Sequence, residues 1–244
     1  MERHVYRRLG ELEDRHWWFA ARRRILGGIL EDLCRGRRGL DILEAGCGTG
    51  GNLAMLGGFG HLSAFEPDAE ARLAAARKSH IPIDDARLPD GLPYGHGRFD
   101  LICAFDVIEH VEKDRDSLAA LGATLKPGGR LVMTVPALPW LWSRHDEHHH
   151  HFRRYTRKSL GAALRAAGLA PVKISYFNTI LFPMIVGVRL MGKLFGRDTA
   201  SDDHMPPIWL NAILKRVFGL ERALLRKFSL PAGVSLLAVA ERAP

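Results

Sequence analysis

The sequence predicts an α/β fold with a mostly parallel sheet and helices on both of its faces. Short apolar runs alternate with helical stretches, and a glycine-rich turn follows the first run. Such alternation is typical of a parallel sheet covered on both sides. The chain has 244 residues, of which 47% are hydrophobic, so we expect one domain with a substantial core.

Seven apolar runs are predicted as strands, at residues 41–43, 62–65, 81–83, 99–105, 130–135, 172–177 and 233–240. Helices are predicted at 69–78, 114–124 and 158–167, the last capped by Thr156 and closed by Gly168. We expect a helical cap over residues 1–36, a ligand-binding core over 37–178, a helical insertion over 179–230 and a last strand within 231–244.

Charge and cysteine content indicate the setting of the protein. The net charge of +8 favours acidic partners such as nucleic acid, phosphorylated substrates or anionic lipid, although a solvated basic surface explains it equally well. Three cysteines without metal or redox spacing favour a reduced, cytoplasmic setting. The charged N-terminus does not resemble a signal peptide, and the apolar run 180–188 is too short to span a membrane.

A glycine-rich turn follows the first predicted strand. Residues 40–53 read LDILEAGCGTGGNL, which places glycines at positions 46, 48, 50 and 51. Glycine is needed where the backbone bends sharply or where a ligand lies directly against it. Open α/β sheets bind ligands at the carboxyl ends of their strands, so the turn predicts a nucleotide-type site.

Acidic residues near this turn discriminate between two ligand classes. Gly46, Gly48 and Gly51 match the G-x-G-x-x-G spacing of nicotinamide dehydrogenases. Glu44, however, would repel a pyrophosphate, whereas it suits a ligand that carries ammonium and sulfonium groups. Glu66, at the end of the second strand, can accept hydrogen bonds from both ribose hydroxyls of either ligand. Glu44 therefore favours the sulfonium ligand, with the dehydrogenase as the alternative.

Five segments resemble, in order, the motifs of the class I S-adenosylmethionine-dependent methyltransferases. They are EAGCGTG at 44–50, FEPD at 65–68, DARLP at 85–89, FDLI at 99–102 with VIEHV at 107–111, and LKPGGRL at 125–131. The chain is similar to the O-methyltransferases of ubiquinone biosynthesis. The resemblance implies a Rossmann-like, seven-stranded, mostly parallel sheet with an antiparallel last strand, and S-adenosylmethionine as the cofactor.

The resemblance also implies a set of cofactor-binding residues: Glu44, Ala45, Gly46, Gly48, Gly50, Asn52, Glu66, Pro67, Asp85, Ala86, Phe105 and Asp106. Glu44, Gly46 and Gly48 are expected along the methionine part, and Glu66 at the ribose. Asp85 and Ala86 would border the adenine. Phe105 and Asp106 would lie beside the sulfonium.

Histidine-containing segments supply candidates for a general base and for metal ligands. A hydroxyl acceptor needs a general base or a metal ion, and His110, His145 and His151 are candidate bases. Two metal-using relatives, the ubiquinone O-methyltransferases and the small-RNA 2′-O-methyltransferases, carry an acid-x-x-Glu-His segment after strand four. The resemblance implies Asp106, Glu109, His110 and His151 as ligands of Mg²⁺ or Mn²⁺. In many relatives without metal, such a Glu-His pair only packs or caps a helix.

The acceptor is predicted to be a small molecule or a lipid- or sugar-type compound that is methylated on oxygen. Residues 208–228 form a basic amphipathic stretch, which can lie on an anionic membrane or pack as an ordinary helix pair or dimer interface. Peripheral membrane contact is therefore kept as an option. An RNA 2′-O-methyltransferase is the alternative within the class, and a cofactor-binding protein without catalysis is the non-enzyme alternative.

Overall fold

The computed structural model describes residue 8 and residues 10–194 and 205–242. In this part of the chain six strands form one sheet: β1 Leu40–Ala45, β2 Gly60–Phe65, β3 Phe99–Phe105, β4 Leu125–Pro136, β5 Leu169–Phe177 and β6 Ser235–Arg242. Their order across the sheet is β2-β1-β3-β4-β6-β5. The first four strands are parallel, and β6 runs antiparallel to both of its neighbours. The mixed α/β architecture with an antiparallel last strand is confirmed.

The expected seventh strand, at residues 81–83, is not present in this sheet. The described chain makes only an isolated parallel bridge there, between Phe65 and Asp84. Pro82 lies in the middle of the predicted run and has no backbone N–H to donate to a neighbouring strand. β2 is therefore the edge strand on this side of the sheet, and the chain beyond it contributes one isolated bridge instead of a strand.

Helices lie before the first strand and between the strands. They are α1 Trp17–Leu33, α2 Leu53–Gly57, α3 Ala69–Ser79, α4 Asp114–Thr124, α5 Arg144–His148, α6 Arg157–Ala166, α7 Phe182–Leu194, α8 Ile208–Gly219 and α9 Glu221–Lys227. Short 3₁₀ turns occupy Ile108–His110 and Pro139–Leu141. Thr156 caps α6 as expected, because its hydroxyl accepts a hydrogen bond from the Ser159 N–H. None of the described helices combines the length and the apolarity that crossing a bilayer requires.

Two apolar cores cover the two faces of the sheet, because successive side chains of a strand point to opposite faces. Leu43 of β1 and Ile102 of β3 belong to the core that includes residues of α4 and α6. Ile42 and Leu101, one position earlier on each strand, belong to the core that includes residues of α1, α8 and α9. The helices after β5 thus pack on the same face as α1.

A buried carboxylate fixes the start of α7 against α9. Glu221 is fully buried and accepts hydrogen bonds from three backbone N–H groups, those of Asn178, Thr179 and Ile180, at 2.7–2.8 Å. A buried backbone N–H without such a partner destabilises the folded state. The contact with Glu221 therefore fixes the direction of the chain after β5. It places α7 beside the carboxyl ends of the parallel strands.

Candidate functional site

The glycine-rich turn leaves β1 with three left-handed backbone conformations, at Gly46 (φ 65°), Gly48 (φ 55°) and Gly50 (φ 89°). A Cβ at Gly46 would lie 3.0 Å from Val107, and one at Gly50 would lie 3.0 Å from the Ala75 backbone. A Cβ at Gly48 would meet only open space. Two of the glycines therefore permit close packing, while the third leaves the backbone open to a ligand.

Glu44 is a buried acid at the end of β1 with an unused oxygen. It is 2% exposed, and its Oε1 accepts one hydrogen bond from Asn52 Nδ2 at 3.0 Å. Its Oε2 is buried and has no hydrogen-bond partner among the residues that the structure describes. Burial raises the pKa of Glu44 to about 8. A cationic group bound beside Oε2 would supply the missing partner and favour the ionised carboxylate.

Glu66, at the end of β2, is held in place by the turn. Its Oε2 accepts the Gly48 N–H at 2.8 Å, and its Oε1 accepts the Asp68 N–H at 3.1 Å. The residue is 3% exposed. Because each carboxylate oxygen can accept a second hydrogen bond, Glu66 is still able to receive hydroxyl donors from a ligand.

A cavity of about 1170 Å³ connects this turn with the histidine-rich loop after β4. Its lining includes the predicted residues Glu44, Gly46, Gly48, Asn52, Glu66, Pro67, Phe105, Asp106, Glu109, His110, His145 and His151. Four predicted cofactor residues, Ala45, Gly50, Asp85 and Ala86, are not in this lining. Ala45 and Ala86 are buried in the core, and the exposed Asp85 carboxylate accepts a hydrogen bond from Arg72 Nη2 at 3.0 Å.

Asp106 is engaged by an arginine of the N-terminal helix. It has a positive φ of 56° directly after β3, and its carboxylate forms an ion pair with Arg22 of α1. Thr134 Oγ1 also donates to Asp106, at 3.0 Å, and the Arg22 guanidinium lies 4.7 Å from the Trp18 ring centroid. The sequence motifs gave no indication of Arg22, because this contact depends on how α1 docks onto the sheet.

Glu109, His110 and His151 converge on one point of the cavity wall. One ligating atom from each lies within 4.8 Å of the others, and the two imidazole ring centroids are 4.6 Å apart. Glu109 is fully buried, and within the described ranges neither of its carboxylate oxygens has a hydrogen-bond partner. Burial, together with the nearby Asp106 charge, raises the pKa of Glu109 well above its ordinary value. A cation at this point would satisfy that carboxylate.

His151 is oriented by a buried acid that the sequence motifs did not single out. Asp146 Oδ1 lies 2.9 Å from His151 Nδ1 and accepts a hydrogen bond from Arg154 Nε at 2.8 Å. Although burial opposes the charge, the hydrogen bonds from His151 and Arg154 lower the pKa of Asp146. An ionised carboxylate at Nδ1 favours the tautomer that carries its proton there, which leaves the Nε2 lone pair available.

The other two predicted histidines are weak bases. Burial lowers the pKa of His110 and of His145 to about 3. Both rings are therefore neutral at physiological pH, and their low basicity makes them poor acceptors of a substrate proton. Of the three candidates, His151 is the one that an adjacent carboxylate supports.

Comparison with protein families decides the class of this site. Residues 17–174 match the family model described as "Methyltransferase domain", and the match covers more than half of the chain. The chain belongs to this methyltransferase family. A S-adenosylmethionine-dependent enzyme is thus confirmed, and the nicotinamide dehydrogenase that the glycine spacing also allowed finds no support.

The methyltransferase is also similar to curated proteins and to solved structures. It is 35% identical over 109 residues to the mitochondrial ubiquinone biosynthesis O-methyltransferase of Schizosaccharomyces pombe, a match that covers 40% of this chain and 38% of that protein. It is 31% identical to the Bradyrhizobium diazoefficiens ubiquinone biosynthesis O-methyltransferase, over 54% and 51% of the two chains. The matches thus span about half or less of these relatives.

Among solved structures, the fold resembles that of geranyl diphosphate C-methyltransferase from Streptomyces coelicolor. The TM-score is 0.58 at 17% identity, and the superposition covers 88% of this chain and 79% of the other. At this identity the likeness concerns the fold alone.

The cavity residues fit the cofactor that this family uses. S-adenosylmethionine carries an ammonium group, a sulfonium and a ribose. Glu44 offers a buried oxygen without a partner, Gly48 leaves open space at its Cα, and Glu66 presents a carboxylate fixed by backbone donors. These three features match a cationic nucleoside and would oppose a diphosphate.

We predict that cofactor binding at pH 7 releases a proton from Glu44. A carboxyl group with a pKa of about 8 is mostly protonated at pH 7, and it must ionise to pair with the ammonium group. Affinity for S-adenosylmethionine should consequently fall as the pH is lowered below 8. Isothermal titration calorimetry in buffers of different ionisation enthalpy measures this release.

The matched variants are Glu44→Gln and Glu70→Gln, since Glu70 is an exposed acid in the first turn of α3. Glu44→Gln should abolish the buffer dependence and weaken binding by about tenfold or more, whereas Glu70→Gln should change neither. A binding enthalpy of the unsubstituted protein that is the same in all buffers would contradict the role given to Glu44.

Proposed function

We propose that this enzyme transfers the methyl group of S-adenosylmethionine to a hydroxyl oxygen of a small-molecule acceptor of lipid-linked or sugar type. The observation that carries the proposal is the Asp146–His151 pair, whose His151 lines the same cavity as Glu44 and Glu66 while Asp146 is buried behind it. A hydroxyl must lose its proton to become a good nucleophile, unlike an amine or a thiolate. A carboxylate-supported imidazole is a suitable group to take that proton.

The proposed reaction is an in-line displacement at the methyl carbon. The acceptor oxygen lone pair forms the new C–O bond while the C–S bond electrons return to sulfur, which leaves S-adenosylhomocysteine. The hydroxyl proton moves to His151 Nε2, and Asp146 stabilises the imidazolium through Nδ1. Because the sulfonium already activates the carbon, alignment and water exclusion supply most of the remaining effect.

The cofactor is proposed to lie along the glycine-rich turn. Its ammonium group would contact Glu44, whose other oxygen is held by Asn52, and its ribose would contact Glu66. Phe105 and Asp106 would lie beside the sulfonium, at the end of β3. The placement of Asp85 and Ala86 at the adenine stays a prediction based on the family resemblance.

The acceptor side of the cavity combines apolar and basic groups. Met184, Ile185 and Val188 of α7 line it together with Arg144 and Arg189. This lining supports an acceptor with an apolar body and an anionic or polar group. Several curated relatives are named as O-methyltransferases, which supports transfer to oxygen. An RNA acceptor is the alternative. The cytoplasmic location of the protein stays a prediction.

As an alternative to the general-base role of His151, we propose that Glu109, His110 and His151 hold a divalent cation such as Mg²⁺ or Mn²⁺, in which case His151 Nε2 is a ligand and not the base. Glu109 offers two buried oxygens without partners, and both imidazoles are within ligating distance of them. When bound, such an ion lowers the pKa of a hydroxyl that coordinates it. Asp106, the fourth ligand implied by the resemblance, is instead paired with Arg22, so we leave it out of the set.

The acceptor class can be tested with labelled cofactor. Cell extract incubated with the purified enzyme and S-adenosyl-[methyl-³H]methionine should transfer label, as an alkali-stable methyl ether, to the lipid or small-metabolite fraction. His151→Ala should slow this transfer by roughly 10²- to 10⁴-fold while the Kd for the cofactor is unchanged. The control is His148→Ala, because His148 is exposed and outside the cavity lining. Label confined to RNA, or full activity of His151→Ala, would refute the proposal.

The metal proposal is tested separately from the base proposal. If a divalent cation acts here, treatment with a chelator should lower the rate at least tenfold, and Mg²⁺ or Mn²⁺ should restore it. Glu109→Gln should then weaken Mn²⁺ binding, measured by electron paramagnetic resonance. Metal-stripped enzyme that keeps its full rate would dismiss the cation and leave His151 as a general base.

A further inference from the structure

One side of α8 and α9 carries exposed apolar and basic side chains that the proposed reaction does not use. We define the α8–α9 surface as Trp209, Ile213, Arg216, Leu220, Leu224 and Lys227, with Ile208, Lys215 and Phe228 at its margins. Trp209, Ile213 and Arg216 follow each other at intervals of three or four residues, which places them on one side of α8, and Leu224 and Lys227 have the same spacing on α9. Trp209 is 65% exposed and Leu220 63%.

The opposite side of the same helices is already occupied. Phe218 and Leu225 are fully buried in the core beneath the sheet, and Leu214 and Val217 pack against that core. The exposed side therefore adds nothing to the packing of the described chain. Contiguous apolar exposure of this kind is typical of an interaction surface.

The charges of the α8–α9 surface have one sign. The acidic residue of the segment 205–228 is Glu221, which is buried and bound to backbone N–H groups. Arg222 and Arg226 are paired with acids of α1. In contrast, Lys215, Arg216 and Lys227 are exposed and form no ion pair with any residue that the structure describes. The surface is therefore apolar and positively charged at once.

We propose that the α8–α9 surface docks on the anionic face of a lipid bilayer. Apolar side chains would enter the boundary between headgroups and acyl chains, and the three cations would contact lipid phosphates. A second copy of this chain fits less well, because a symmetric contact would bring cations against cations. Partly buried Ile185, which lines the cavity, and Leu214 of α8 both pack against the core on the α1 side of the sheet.

This inference rests on the proposed function for its biological reason, which is access to a lipid-linked acceptor, but docking itself can be measured without cofactor or acceptor. The full chain is floated with phosphatidylcholine vesicles that contain or lack phosphatidylglycerol. We expect binding to the anionic vesicles to exceed binding to the neutral ones at least about tenfold, and to weaken as salt is raised.

Two double variants test the surface. Trp209→Ser with Ile213→Ser, and Lys215→Glu with Arg216→Glu, should each lower binding to anionic vesicles at least about tenfold. The matched controls are Leu73→Ser, an exposed apolar residue of α3, and Arg157→Glu with Lys158→Glu, neighbouring exposed cations of α6. Circular dichroism confirms that each variant is folded.

Three results would overturn the proposal. They are absence of binding to anionic vesicles, equal loss in the control variants, and a dimer in sedimentation that the Trp209→Ser with Ile213→Ser variant dissociates. The last result would assign the surface to a second copy of the chain. Failure of docking would leave the methyl-transfer measurements unaffected, and loss of methyl transfer would leave flotation unaffected.

Discussion

A carboxylate buried without a counter-charge is the constraint on which the rest of this site depends. Glu44 lies at the end of β1, where a parallel sheet and a glycine-rich turn remove water from one of its oxygens. An isolated buried acid is costly, so the arrangement is stable mainly with the acid protonated or with a cation beside it. A cofactor with an ammonium group and a sulfonium resolves that cost, and the open backbone at Gly48 gives it room.

The same principle operates at the other end of the cavity. Glu109 is a second buried acid whose oxygens find no hydrogen-bond partner in the part of the chain that the structure describes, and the imidazoles of His110 and His151 adjoin it. Arg22 of α1 lies in this region and forms an ion pair with Asp106. The N-terminal helix therefore lines part of the cavity in addition to covering the core. This end of the cavity suits the activation of a hydroxyl. It combines the neutral His110 and His145 with His151, which is hydrogen-bonded to a carboxylate, and with the buried carboxyl group of Glu109.

The sequence predicted those features that short segments specify. The strand–turn unit around Gly46 and the acids at 44 and 66 follow from the local pattern, whereas the antiparallel direction of the last strand was implied by the family resemblance. The prediction of a strand at 81–83 was wrong, because Pro82 has no N–H to donate to the hydrogen-bond ladder of a neighbouring strand. Arg22 and Asp146 were not predicted as site residues, because their roles depend on helix docking and on a loop that brings distant residues together. Exposure of the α8–α9 surface likewise required the packed structure, since an amphipathic pattern does not reveal what covers it.

The central claim is that this cavity selects a cationic sulfur nucleoside or its demethylated product over a dinucleotide. Thermal unfolding of the purified chain with S-adenosylhomocysteine or with NAD tests it most directly, because a ligand that binds the folded state raises its melting temperature. We expect a concentration-dependent rise with S-adenosylhomocysteine and none with NAD. A rise with NAD alone, or with neither compound, would contradict it.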